Sequence, residues 1–223
     1  MSWRLLEGDG YSTFEWDLVK DTSRIDFAKL EEALLKLPQE NTVTVAVPAG
    51  FRYSKELNRL GFSKVKEREV YSRGLEDFVP ESLDPSLTFL EEPDNESIIN
   101  CLTTILDCRQ EAKNMIDLLF AEVARDKFRI NLVKIRGRDA AVYIPHIEPH
   151  TEDEGRVFFF GIKPEFRGYG YGAKIHRSAL CSLKKMLNAR VYVGVTDSGN
   201  LKMKKVFERN GCTKTGSIAI YKR

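Results

Sequence analysis

Residues 157–187 read VFFFGIKPEFRGYGYGAKIHRSALCSLKKML, and the fold follows from how this stretch changes character. Residues 157–162 form a short apolar run rich in aromatics, the composition of a buried strand. Pro164 cannot continue a strand ladder. Arg167, Gly168, Tyr169, Gly170, Tyr171 and Gly172 follow, and beyond them Ile175, Ala179, Leu180, Leu183 and Leu187 fall at helical spacing. Strand, glycine turn and helix together present backbone N–H groups at a helix N-terminus. Such an end carries about half a positive charge and unpaired donors, so it suits an anion such as a phosphate. Glycines let the backbone come close to a ligand and take positive φ without a steric penalty.

Several phosphate motifs compete for this turn. Gly168-x-Gly170 overlaps a dinucleotide G-x-G-x-x-G, with Ala173 at the relaxed third position. The acidic residue expected about twenty positions on is missing, because Asp197 lies too far away. A Walker loop fails for want of Gly-Lys-Ser/Thr. R-x-x-G-x-G fits, at Arg167, Gly170 and Gly172, preceded by the I-x-P of Ile162 and Pro164. This resembles the acetyl-CoA pyrophosphate loop of the GNAT superfamily of N-acetyltransferases. Downstream, a strand at 190–195 leads to Asn200, Val206, Glu208 and Gly211, which match that family's N-x-x-A-x-x-L-Y-E-K-x-G-F helix. Met203, Phe207 and Cys212 depart from it.

The resemblance covers residues 87–223 and implies an α/β (α+β) GNAT fold: a twisted, mixed, mostly antiparallel sheet flanked by helices. It implies acetyl-CoA as co-substrate. Arg167, Gly168, Tyr169, Gly170, Tyr171 and Gly172 would surround the pyrophosphate, with the two tyrosines near the adenosine or covering the helix end. The backbone of Phe160, Gly161 and Ile162 would run beside the pantetheine, with an N–H facing the thioester oxygen. Asn200 would bond the pantetheine arm, cap the next helix, or both. Phe207 stands where many members carry the tyrosine that protonates the thiolate.

The composition bounds the rest. The chain has 223 residues, 42% of them hydrophobic and 30% charged, in the range of soluble globular proteins. With 35 basic and 33 acidic residues, its charge balance argues for neither nucleic acid nor a membrane surface. No apolar run is long enough to span a bilayer, and the start, MSWRLLEGDG, is no signal peptide. Cys101, Cys108, Cys181 and Cys212 are scattered, which reads as reduced thiols in a cytoplasm, with no metal site.

In chain order, residues 25–37 are amphipathic through Ile25, Leu30, Ala33, Leu34 and Leu37, a helix ended by Pro38. A strand at 42–47, a helix at 53–60 closed by Gly61, and a half-exposed strand at 64–71 follow. Sliding the sequence by 150 positions puts Val43 on Val193, Val45 on Val195, Lys55 on Lys205 and Gly61 on Gly211. Tyr71 then falls on Tyr221 and Arg73 on Arg223, without a gap. Residues 1–75 therefore read as a degenerate GNAT-like half domain. Its phosphate turn at 17–22, Asp-Leu-Val-Lys-Asp-Thr, has lost every glycine. Residues 76–86, with two prolines and several acids, read as a linker, and residues 87–223 as the acetyltransferase domain. Within it we expect a strand at 87–90, a helix capped by Asp94, a helix at 112–124, a hairpin turning at 136–139, and a longer turn at 148–155.

Acetyl transfer to an amine needs a base, because an alkyl amine with pKa about 10.4 is mostly protonated at neutral pH. The strand centre holds Phe158, Phe159 and Phe160, so the candidates are Glu154 and His146, with Glu148 and His150 beside them. An acidic, solvated turn accounts for the same residues. Two functions follow: an N-acetyltransferase acting directly on a primary amine of a small molecule or peptide, or a catalytically weak acetyl-CoA-binding sensor or scaffold. The family resemblance is compatible with a homodimer.

Overall fold

The computed structural model describes residues 3–8, 10–16, 27–37, 41–79 and 86–223. The sequence's altered phosphate turn at 17–22 lies outside the described residues. The chain packs as two compact units. One comprises Met1–Val70, Val195–Asn200 and Lys214–Arg223; the other comprises Tyr71–Gly194 and Leu201–Thr213.

In the first unit, β3 (Thr42–Pro48) alternates β-branched residues and lies between two neighbours. It pairs in parallel with β2 (Tyr11–Trp16), Phe14 lying opposite Val45, and antiparallel with β10 (Thr213–Lys222), Tyr221 lying opposite the same residue. Strand β2 forms a hairpin with β1 (Trp3–Gly8), whose chain reverses next to Gly10 at φ 74°. These two strands were not expected from the sequence, where each carries only a few residues of weak alternation. Helix α1 (Phe27–Leu35) buries Leu30 and Leu34 against Val43, Val45, Leu57 and Phe62. Helix α2 (Ser54–Arg59) ends where Gly61 takes φ 87°, a conformation that costs an L-residue about 1–2 kcal/mol. Strand β4 (Ser63–Gly74) starts exposed and becomes buried at Val70.

The second unit opens on β5 (Leu87–Glu91). Asp94 caps α3 (Asn95–Leu106) by accepting from the Ser97 N–H at 2.8 Å, a bond that also lowers the Asp94 carboxyl pKa. Asp107, at φ 59°, ends that helix and α4 (Arg109–Glu122) follows. Strands β6 (Asn131–Ile135), β7 (Arg138–Ile147) and β8 (Glu154–Ile162) then run antiparallel. Residues 140–148 are buried throughout, as befits a strand covered on both faces. Val142 and Ile144 pack under α3 and α4, while Ala141 and Tyr143 pack under α5 (Tyr171–Met186). Strand β9 (Val191–Asp197) and α6 (Leu201–Arg209) complete the order anticipated from the sequence. Of residues 76–79, read as the start of the linker, Glu76, Asp77 and Val79 are exposed and Phe78 is packed. Phe78 is buried between the Arg73 and Arg177 guanidiniums, and Lys184 Nζ donates to the Glu76 and Phe78 carbonyls.

The 150-residue offset holds bond by bond. Phe62 N–H donates to Leu57 O at 3.0 Å, as Cys212 N–H does to Phe207 O at 3.0 Å. Gly61 N–H donates to Asn58 O at 3.0 Å, as Gly211 N–H does to Glu208 O at 2.9 Å. The final strands divide differently: from Lys214 on, β10, the counterpart of β4, belongs to the unit of the N-terminal half, whereas β4 belongs to that unit through Val70 and to the other from Tyr71. Even the anchoring arginines correspond. Arg223 Nη1 donates to Leu60 O in the first unit, and Arg73 Nη1 donates to Asn210 O in the second.

Candidate functional site

Strand β8 is the anomaly in the second unit. Beside fully buried β7, it is half-buried at every position from 156 to 163. Two features produce this. The β7–β8 register shifts between Ile144, opposite Phe159, and Pro145, opposite Val157, so Phe158 is left as a bulge. On its other side β8 pairs with β9 only through Glu154 with Val191 and Gly155 with Tyr192. Beyond that point the two strands part, and one backbone edge of β8 is left open to a ligand with amide groups of its own.

The open edge leads into the glycine turn. Pro164–Phe166 form a single 3-10 turn, then Gly168 and Gly170 take φ 89° and 81°. A Cβ at either would meet nothing within 4 Å, so it is the positive φ, not crowding, that calls for glycine. At Gly172 the reason is different, because a Cβ would lie 3.2 Å from Val206 Cγ2 on α6. Helix α5 begins at Tyr171 with no side-chain cap and no acidic residue in its first turn. Its N-terminal dipole therefore faces outward without a counter-charge from that turn. Tyr169 is 72% exposed and its ring lies 6.3 Å from that of Tyr171. The Arg167 guanidinium bonds backbone instead: Nε donates to Ile162 O at 2.7 Å and Nη2 reaches Ile105 O at 3.5 Å. It ties the end of β8 to the last turn of α3.

Beneath the gap lies a polar network that sequence reading did not assemble. Asn210 Nδ2 donates to His176 Nδ1 at 3.0 Å, so the ring proton sits on Nε2 and is donated to Tyr192 Oη, also at 3.0 Å. Burial, and secondarily the Arg73 charge, push the His176 pKa down to about 3 and keep the ring neutral. The imidazole contacts Phe160 on β8, and Tyr192 and Phe207 on the other side, with centroids 6.1, 5.1 and 5.4 Å away. It thus spans the space under the parted strands. Gly194 makes room for it: a Cβ there would lie 2.5 Å from Tyr192 Oη and 2.7 Å from Phe207 Cζ. Phe207 is buried in this core rather than lining an open surface. The available signal was faint: a helix-facing histidine, and a glycine two residues after a tyrosine.

His146 and Glu154 lie on the other face of the sheet, joined through Glu148 and Arg156. His146 Nε2 is 3.3 Å from Glu148 Oε2, Arg156 Nε is 3.3 Å from the same oxygen, and Arg156 Nε donates to Glu154 Oε1 at 2.7 Å. All four are mostly buried. The Glu148 carboxylate puts the His146 proton on Nε2, and Nδ1 is buried without a hydrogen-bond partner among the described residues. The His146 ring packs edge-on against Phe158, the bulged residue, at 5.8 Å. His150 lies in the exposed turn. Asn200, in the first unit, directly precedes α6, and its N–H donates to Asp197 O at 2.9 Å. Burial raises the pKa of the Cys101 thiol to about 11 and of Cys212 to about 12, so neither is a ready nucleophile. Among the described residues no cluster of His, Cys, Asp and Glu is arranged for a metal, and no helix is long and apolar enough to cross a membrane.

No family model and no curated protein matches the sequence. Solved structures do match. A GCN5-related N-acetyltransferase from Sphaerobacter thermophilus superposes with a TM-score of 0.68 at 12% identity, over 99% of this chain and 75% of that one. A GCN5-related N-acetyltransferase from Kribbella flavida gives 0.68 and 12%, over 99% and 89%. A tandem GNAT protein from the clavulanic acid biosynthesis pathway gives 0.68 and 13%, over 99% and 78%. The chain has the GNAT fold, and at such identities the likeness is one of fold.

Proposed function

We propose that the protein is an acetyl-CoA-dependent N-acetyltransferase that passes the acetyl group directly to a primary amine. The observation that carries this reading is the open edge of β8 running without interruption into the glycine turn and the uncapped start of α5. Bound there, acetyl-CoA supplies an acyl group activated by a thiolate leaving group. The parted edge suits its two amides, and the N–H groups at the head of α5 suit its pyrophosphate. In this reading a backbone N–H just past the Phe158 bulge polarises the acyl carbonyl, a kind of contact worth ~3 kcal/mol of barrier.

His146 is the base of this reading: Glu148 holds its tautomer and would stabilise the charged ring, and the buried Nδ1 has to be uncovered beside Phe158 before it can take the ammonium proton. Glu154 is committed to Arg156 and balances that charge. Phe207 has no proton to give, and a thiol of pKa about 8.5 leaves without one. The buried cysteines support direct transfer, and free thiols suit a reducing cytoplasm. The second reading, a protein that binds acetyl-CoA as a sensor, is favoured by one feature: Phe207, where the family resemblance would place a hydroxyl.

Calorimetric titration with acetyl-CoA is the test. Micromolar binding that Gly170→Asp abolishes supports the site, and amine-dependent release of CoA thiol separates enzyme from sensor. No binding by the intact chain would sink both readings.

A further inference from the structure

We infer that a cleft between α3 and α4, apart from the open edge of β8, binds a free amino acid with an apolar side chain. The inference goes beyond the acetyl-transfer reading and does not depend on it. The cleft has a volume of about 220 Å³ and is lined by Ile98 and Ile99 of α3, Ile116 of α4 and Ile130 just before β6, together with Asn95, Lys113 and Asp117. Ile98 and Ile130 are buried, Ile99 and Ile116 half-buried and the three polar residues exposed, so the floor is apolar and the rim polar. An apolar cavity of about 150 Å³ takes a benzene ring, so this cleft has room for a branched or aromatic side chain. Ile105, which meets β8 at Gly161, lies about 9 Å further along the α3 axis than Ile99.

The rim selects the class of ligand. Lys113 and Asp117 stand one turn apart on α4, the spacing of an ion pair, yet among the described residues neither side chain has a hydrogen-bond or ion partner. The Asn95 side chain, at the start of α3, has none among them either. Elsewhere on the same helices such groups are engaged: Arg109 bonds Glu96 and Asn100, and Gln110 Nε2 donates to Asn114 Oδ1 at 2.7 Å. The cleft is thus bordered by a cation, an anion and a carboxamide that both donates and accepts. A carboxylate ligand would pair with Lys113 but face Asp117, and an alkyl amine would do the reverse. A zwitterion answers both. Its α-carboxylate meets Lys113, its α-ammonium meets Asp117, and Asn95 bonds either, while its side chain lies on the isoleucines. A sugar would set hydroxyls against four side chains that cannot pair them.

The test titrates the full chain, without acetyl-CoA, with four probes: L-leucine, isoamylamine, isocaproate and glycine, followed by NMR of the backbone amides. Leucine is expected to bind in the millimolar range and to shift the amides of Ile98, Ile99, Lys113 and Asp117 saturably. Its affinity should exceed that of isoamylamine and of isocaproate about fivefold, as exposed ion pairs allow, and that of glycine about tenfold or more. Lys113→Gln should remove the advantage over isoamylamine, and Asp117→Asn the advantage over isocaproate. Both positions are exposed, so neither change removes a core contact. A singly charged probe or glycine binding as well as leucine, an advantage that survives both substitutions, or no saturable shift at the cleft would each overturn the inference.

Discussion

The N-terminal half of the repeat and its C-terminal counterpart share a backbone but not an interior. At positions 150 apart, Thr42, Thr44, Leu57 and Leu60 stand where the other half has Tyr192, Gly194, Phe207 and Asn210. The helix-ending hydrogen bonds are the same in both, so the trace survives either set. In the first half Leu57 completes a core with Phe14, Leu30 and Val45. In the second, Gly194 makes space for a tyrosine hydroxyl, and the histidine and asparagine that pair with it are themselves buried. One half is filled with apolar side chains and the other holds a polar network beside its parted strands. A backbone can thus be duplicated while its interior diverges, because the trace depends on periodicity and caps, whereas the interior depends on a few residue identities.

The placement of β10 in the first unit offers the hardest way to break this comparison. Removing residues 214–223 takes Ala219 and Tyr221 from the core of the first unit and leaves β3 without its antiparallel neighbour. We expect the amides of 43–47 to lose hydrogen-exchange protection while those of 141–144 keep it. The reverse pattern would show that β10 belongs energetically to the half that encodes it.

The turns come next. Gly170→Asp places a carboxylate at the head of α5 and should weaken acetyl-CoA binding by about a hundredfold or more, since opposed like charges cost several kcal/mol. Placing the same carboxylate at its counterpart, Lys20→Asp, should leave affinity within about twofold if the proposed anion site belongs to the second half alone. Equal losses at both would give the N-terminal half a site of its own.

The interiors can be distinguished by exchanging a residue. Asn210→Leu installs what the first half has at Leu60, and leaves His176 Nδ1 buried without its donor. A loss of about 1–3 kcal/mol in urea unfolding is expected, the cost of orphaning one buried polar atom. A neutral result would mean that the polar network contributes nothing to stability.

Acid titration gives the smallest and most specific effect. His176 binds its proton at a pH near 3 when folded and near 6.5 when unfolded, so the unfolded chain holds more protons between these limits. Its contribution is therefore complete above the unfolded value and is lost as pH falls from there toward 3. At pH 5 the loss is about 2 kcal/mol, on the scale of roughly 1.4 kcal/mol per pH unit. His176→Gln should flatten that part of the stability profile, and an unchanged slope would place the titration elsewhere.

Much of this molecule was legible in its residues. The aromatic strand, the glycines at 168 and 170, the Asp94 cap and the 150-residue register each rest on local chemistry: periodicity, positive φ, or an orphan N–H needing an acceptor. Strands β1 and β2 were not legible, because short strands take their stability from neighbours rather than from propensity. The packing of Phe78 under two arginines was hidden for a related reason, since a lone phenylalanine among exposed polar residues has no period to mark it. At the candidate site the sequence pointed to His146 and Glu154 but not to Glu148 and Arg156 as the groups that join them.

The sequence by itself determined the order of elements from residue 87 onward, the glycine turn and the existence of a second, altered copy, since each is written in spacings along a single segment. Only the tertiary structure decided which unit each final strand completes, that β8 and β9 part after two residue pairs, and which polar groups lie beneath the gap. Those outcomes depend on contacts between residues far apart in the chain. The Asn210 to His176 bond and the Tyr221 to Val45 pairing link segments whose local patterns carry no record of one another.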